Sequence, residues 1–163
     1  MIPSETPRLI EKFKNAILDQ KTMFGELTLL IKKEEIVPFC QFLHDDPELK
    51  FDHITDICSL DFPEDEERFE MVYMFYSVPK KHRIRIKARI SEEDCSIDSV
   101  SSIWKGANFM EREVYDMMGI RFNHHPDLRR IMMPEDFEGY PLRKDFPTEG
   151  KGWRNTFEFL PKE

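Results

Sequence analysis

The clearest alternation in the chain runs through residues 82–90. Ile84, Ile86, Ala88 and Ile90 take one side, and Arg83, Arg85, Lys87 and Arg89 take the other. Period two with one apolar face predicts a half-buried antiparallel strand whose cationic face is charge-paired, solvated or turned to a partner. Residues 51–60 and 69–77, rich in β-branched and aromatic side chains, predict two more strands. The acidic Pro63-Glu64-Asp65-Glu66-Glu67 between them is a hairpin loop. Leu27, Leu29 and Ile31 alternate with Glu26 and Thr28 and predict a fourth strand. Helical spacing governs residues 7–19 through Leu9, Ile10, Phe13, Ala16 and Ile17. It returns at Ile36, Phe39, Cys40 and Leu43, with Pro38 tolerated in the first turn.

A third and longer helix is predicted from an N-cap at Asp98 or Ser99 to a stop at Gly119. Val100, Ile103, Trp104, Ala107, Val114 and Met118 form its apolar stripe. Glu111 falls inside that stripe, where a carboxylate needs a cation or a backbone N–H. An arginine from further along the chain (Arg129, Arg130 or Arg143) is the expected partner. Phe109 is the opposite anomaly, an aromatic on the polar face, and suggests contact with another protein.

After this helix the periodicity stops. Prolines at 126, 134, 141, 147 and 161 break a segment dense in Arg, Lys, Asp and Glu. Single apolar anchors remain at Leu128, Ile131, Met132, Met133, Phe137, Leu142 and Phe146. So sparse a set does not compensate the entropy of ordering the segment alone, which suggests a tail ordered against a partner. The fold class expected is α+β: helices on one side of a small mixed or antiparallel sheet, then the long helix and an irregular C-terminal tail. Residues 1–120 would form the domain and 121–163 the partner-binding tail.

With 163 residues the chain is one domain by size, and a net charge of −8 argues against non-specific nucleic-acid binding. No apolar run approaches the ~18 residues of a membrane span, and no signal peptide is evident, so a membrane link is expected only through partners. Three widely spaced cysteines, Cys40, Cys58 and Cys95, suggest a reducing compartment and no disulfide framework.

The cofactor motifs are missing: no glycine-rich dinucleotide or phosphate loop, no cysteine run for an iron–sulfur cluster, no marked nucleophile. The near miss is His124-His125-Pro126-Asp127. Neighbouring side chains of an extended segment point apart, so chelation by both histidines is disfavoured. A hydrogen bond from His125 to a backbone carbonyl or a carboxylate, fixing the turn at Pro126, is the plainer expectation. A stand-alone metal-dependent hydrolase using His124, His125, Asp127 and Glu111 is the alternative from another class.

Three blocks carry a specific resemblance. They are Glu111-Arg112-Glu113 with Tyr115-Asp116 and Gly119-Ile120; His125-Pro126-Asp127-Leu128 with Arg130; and Asp136, Gly139 and Pro141-Leu142-Arg143-Lys144-Asp145-Phe146-Pro147. Together with residues 45–51 and 56–63 they resemble the 30-kDa subunit family of respiratory complex I, the likeness covering residues 45–150. The resemblance implies a structural subunit of the peripheral arm of a proton-translocating NADH:quinone oxidoreductase, without catalytic residues of its own. It implies docking on the large quinone-site subunit beside an iron–sulfur subunit, with FMN and the clusters in other chains. The place implied is the cytoplasmic face of a bacterial inner membrane. Phe109, the residues of the three blocks and Arg129 are then the candidate interface or structural positions. The same family resemblance would also fit a membrane-bound hydrogenase or another quinone reductase as host.

Overall fold

The computed structural model describes residues 6–151; Pro161 and the rest of the tail beyond residue 151 lie outside them. Five strands form a mixed sheet in the order β1-β2-β5-β4-β3. They are β1 (Ile17–Met23), β2 (Glu26–Ile31), β3 (His53–Asp61), β4 (Phe69–Ser77) and β5 (His82–Ile90). β2 and β5 run parallel, and the other neighbours are antiparallel. β4 and β5 span the residues that pattern predicts, because each buries one full face: Phe69, Met71, Tyr73 and Phe75 beside Ile84, Ile86, Ala88 and Ile90.

Helices cover that one face. α1 (Thr6–Lys12) and α2 (Ile36–Asp45) bring Leu9, Ile36, Phe39, Cys40 and Leu43 into the core. α3 (Ala107–Met118) packs against β3. Trp104, just before α3, packs tilted against Phe75 with ring centroids 4.7 Å apart and donates its indole N–H to the Phe51 carbonyl. On the opposite face the strand cations are charge-paired: Lys87 and Arg89 with Glu70, Arg85 with Glu26, and Arg89 also with Asp65.

The structure corrects three expectations. The first helix ends at Lys12, not residue 19, and the chain turns through residues 13–16 into β1. β1 escapes a pattern search because it is an edge strand exposed on both faces, so it shows no alternation. The third helix begins at Ala107, not near Ser99. Asp98 belongs to β6 (Ser96–Asp98), and the Ser99 hydroxyl accepts the Ser101 N–H in a local turn that competes with helix initiation. Val100, Ile103 and Trp104 therefore reach the core from turns, with the expected sidedness but without the helix. Third, β6 and β7 (Arg121–Asn123) pair in parallel on either side of α3, three residues each and too short to alternate visibly.

Two turns matter below. Met23 pairs with Glu26, which leaves Phe24-Gly25 as a two-residue hairpin loop with φ of 52° and 77°. Two left-handed residues in a row make a type I′ turn, for which Asn-Gly is the favoured pair. Phenylalanine in that conformation costs about 1–2 kcal/mol. Gly119 ends α3 at φ 75°, and a Cβ there would lie 2.5 Å from the Tyr140 ring, so only glycine lets the later segment close over the helix end.

Candidate docking surface

The site residues divide by which way they leave α3. Glu111 points inward and is fully buried. One carboxylate oxygen accepts the Val100 N–H at 2.7 Å and the other the Ser99 hydroxyl at 2.6 Å. None of the expected arginines meets it. The carboxylate instead fastens the 99–100 turn to the helix, and burial pushes its pKa up to about 7 against the lowering effect of those two bonds. The buried His125 ring lies 3.8 Å away. Its Nδ1 accepts the Asp127 N–H, which leaves Nε2–H to donate to the Asn108 carbonyl at 3.2 Å. That is the backbone anchor expected of His125, and it ties the turn at Pro126 to the start of α3.

Removing the Glu111 carboxylate leaves a buried N–H and hydroxyl unmet, a loss of ~1–3 kcal/mol. Glu113 is exposed, and its removal should stay within ~0.5 kcal/mol. Urea midpoints of Glu111→Ala and Glu113→Ala are expected to differ accordingly, and equal midpoints would refute the assignment.

Asp116 is the second organising carboxylate, also fully buried. Its Oδ2 accepts the N–H groups of Ile131, Met132 and Met133 at 3.0, 2.7 and 2.9 Å, and its Oδ1 takes the Arg130 guanidinium at 2.7 Å. Burial alone would raise this carboxyl, but the N–H groups of Met133 and Met132, the guanidinium and the Ile131 N–H outweigh it and hold the pKa below the usual range. Arg130 also donates to the carbonyls of Phe137 and Gly139, and Arg112 donates to those of Arg129 and Arg130. The backbone groups of a segment without regular structure thus find partners within the chain.

A third cluster holds the later part of the segment. Arg68, nearly buried, makes a two-bond fork on Asp61 (2.8 and 3.0 Å) and also reaches Asp145 and Glu92. The other Asp61 contact is the Lys144 N–H at 2.7 Å. Arg143 donates to the Met118 carbonyl at 2.7 Å and lies between the Phe69 and Tyr140 rings. Phe137 and Phe146 stack 5.9 Å apart. Neither periodicity nor motif points to Arg68; the only hint is that it is the sole cation between Asp61 and Glu70.

What remains turned outward is Phe109 (64% exposed), Met132 (59%) and Leu142 (60%), with Ile131 partly so. Leu142 is held there by its N–H on the Met117 carbonyl, while Leu128 packs on the core. In the same segments Glu113, Arg129, Asp136 and Lys144 are also exposed, with Arg129 forked onto Asp127. Tyr115 is half-buried against the core, and Pro126 and Pro141 lie in turns of the later segment. The outer flank of α3 therefore combines exposed apolar side chains with charges, on a base fixed by buried carboxylates.

The alternative hydrolase site does not assemble. His124 is exposed in a left-handed turn, Asp127 is occupied by Arg129, and only His125 and Glu111 come together. Among the described residues no group of three or more His, Cys, Asp or Glu is placed to hold a metal ion. No described helix is long and apolar enough to cross a membrane.

Residues 29–152 match the family described as respiratory-chain NADH dehydrogenase, 30 Kd subunit. The NADH-quinone oxidoreductase C subunit of Geotalea uraniireducens is 49% identical over 143 residues, 88% of this chain and 86% of that protein. The corresponding protein of Geobacter sulfurreducens is 48% identical over 144 residues, 88% of each. Among solved structures, the trypsin-resistant fragment (1–134) of Nqo5 is 30% identical and covers 75% of this chain and 98% of its own, with a TM-score of 0.63. A chain from an archaeal respiratory membrane complex, the membrane-bound sulfane sulfur reductase, shares the fold at 24% identity and a TM-score of 0.75, over 87% of this chain and 83% of its own.

Proposed function

This chain belongs to the 30-kDa subunit family of respiratory-chain NADH dehydrogenases, and from that premise we propose that it is a structural and assembly subunit without a cofactor of its own. Its host is the peripheral arm of a proton-translocating NADH:quinone oxidoreductase, the complex named by its relatives at 48–49% identity. It docks on the large quinone-site subunit, beside an iron–sulfur subunit. Partners hold it at the cytoplasmic face of the inner membrane. Residues 1–120 serve as the body, and 121–163 as the segment that meets the partner. Its part in electron transfer from NADH to quinone is to fix the spacing of carriers held by other chains.

The observation that supports this reading is the outer flank of α3. The buried charges of the family motif, Glu111, Asp116, Arg130 and Arg143, are spent inside the chain. Ile131 and Met132 are held in the open by the Asp116 bonds and Leu142 by the Met117 carbonyl, and Phe109 is exposed on α3 itself. Exposed apolar side chains on a fixed base, in segments that also expose charges, are the anatomy of a protein interface.

Met132→Glu and Leu142→Glu test it. Both positions are exposed, so the melting temperature of the isolated chain should not move. Each apolar side chain buried against a partner is worth ~1.5–3 kcal/mol, so each substitution should weaken docking at least about tenfold. NADH:quinone activity of the membranes should fall with the amount of assembled complex. An active complex at wild-type level with both substitutions would refute the assignment.

A further inference from the structure

A second anchor stands at the other end of the sheet. Phe24 is 98% exposed, with Met23 and Leu18 also largely exposed on the same hairpin. Its side chain meets solvent from a backbone conformation, φ 52°, that asparagine or glycine would adopt more readily. Two unfavourable choices at one residue, exposure and conformation, mark a position kept for contact and not for the stability of the free chain. Among the described residues β1 is the outermost strand and pairs with β2 alone. α3 lies over β3 at the opposite edge, four strand spacings or roughly 19 Å away.

We infer that the β1–β2 hairpin docks on a neighbouring protein of the same complex, with the Phe24 ring seated in an apolar socket, at a surface separate from the α3 flank. This rests on the reading of the chain as a subunit of that complex. A second copy of the chain is a poor occupant. One aromatic ring buries roughly 150–250 Å², and with Met23 and Leu18 it falls short of the ~800 Å² per partner of a stable dimer. An acidic lipid surface is also a poor occupant, because the hairpin carries a single Lys21 beside Asp19, and the nearby Arg83 and Arg85 are paired with Glu26, in a chain of net charge −8. A small anchor suits a chain already held elsewhere, where the second contact closes at high effective concentration.

Two measurements on the full-length chain in its assembled complex test this. A photo-cross-linking phenylalanine analogue at position 24 should join the chain to another subunit, as should the same probe at position 132. Phe24→Asn should leave the melting temperature of the isolated chain equal or higher, because it relieves the turn, while the amount of assembled complex falls several-fold. A cross-link at 132 with none at 24, or at 24 only to lipid or to a second copy, would overturn the inference while leaving the α3 flank as docking surface. So would a Phe24→Asn variant that assembles as the wild type does. Loss at 132 with a protein cross-link at 24 would instead count against the flank alone.

Discussion

Asp116→Ala is expected to cost the folded chain about 3–5 kcal/mol, because it removes the carboxylate partner of a largely buried guanidinium and leaves three backbone N–H groups unmet at once. For a chain of this size that is a fall in melting temperature of roughly 10 °C. The loss should be local before it is global. Residues 129–133 leave α3, and trypsin cleaves at Arg129 or Arg130 under conditions in which the wild type is intact. Arg130→Ala should cost less, since Asp116 keeps its three N–H donors. The double substitution should cost less than the sum of the two, because the pair is one network. Asp116→Asn retains an acceptor and should fall between. If Asp116→Ala shifted the urea midpoint no more than a surface substitution, the segment would be held by its apolar contacts alone.

That network explains why the fold is more legible in the sequence than the site. Alternation reveals β5, richness in β-branched and aromatic residues reveals β4, and helical spacing with its glycine stop places Glu111 and Gly119 on the right side and at the right end of α3. Alternation is silent on β1, which has no buried face, and on β6 and β7, which are too short to show one. The segment after α3 is harder for a different reason. Its order comes from carboxylates and guanidinium groups bonded to backbone many positions away, such as Asp116 to Ile131–Met133 and Asp61 to Lys144. Counting apolar anchors undervalues such bonds, and no period reports them. The partner of Glu111 escapes for the same reason, since a backbone N–H has no letter in the sequence. Phe109 is legible because one aromatic on a polar helix face is an exception to a pattern that is otherwise kept.

The contribution of Glu111 to stability should fall as pH rises from about 4.5 to 7, while His82, whose pKa burial lowers, acts in the opposite sense and is common to the two chains compared below. Burial raises its carboxyl from 4.5 to about 7. The unfolded chain therefore loses this proton first, and between those values the folded state binds more protons than the unfolded one. Stability drops with rising pH wherever that holds, so the contribution of Glu111 is complete below about pH 4.5 and gone above about 7. At ~1.36 kcal/mol per pH unit the total is about 3 kcal/mol. Asp61, Asp116 and Asp145, all held below the usual range, act oppositely and in a lower window, losing their contribution as pH falls below about 4. Cys40 and Tyr73, the other titratable groups in the field of Glu111, are raised by burial first and by Glu111 second, so they stay neutral throughout. Glu111→Gln removes the titration and keeps the bonds. Its amide oxygen can accept the Val100 N–H, and its NH2 can donate to the Ser99 hydroxyl. The stability of the variant from urea unfolding should match the wild type at about pH 4 and exceed it at about pH 8 by up to about 3 kcal/mol. A gap between the two chains that is the same at both pH values would show that Glu111 does not titrate in this window. A gap growing in favour of the wild type at the higher pH would mean that the fold holds the ionised carboxylate of Glu111 better than the protonated one, and would refute the raised pKa.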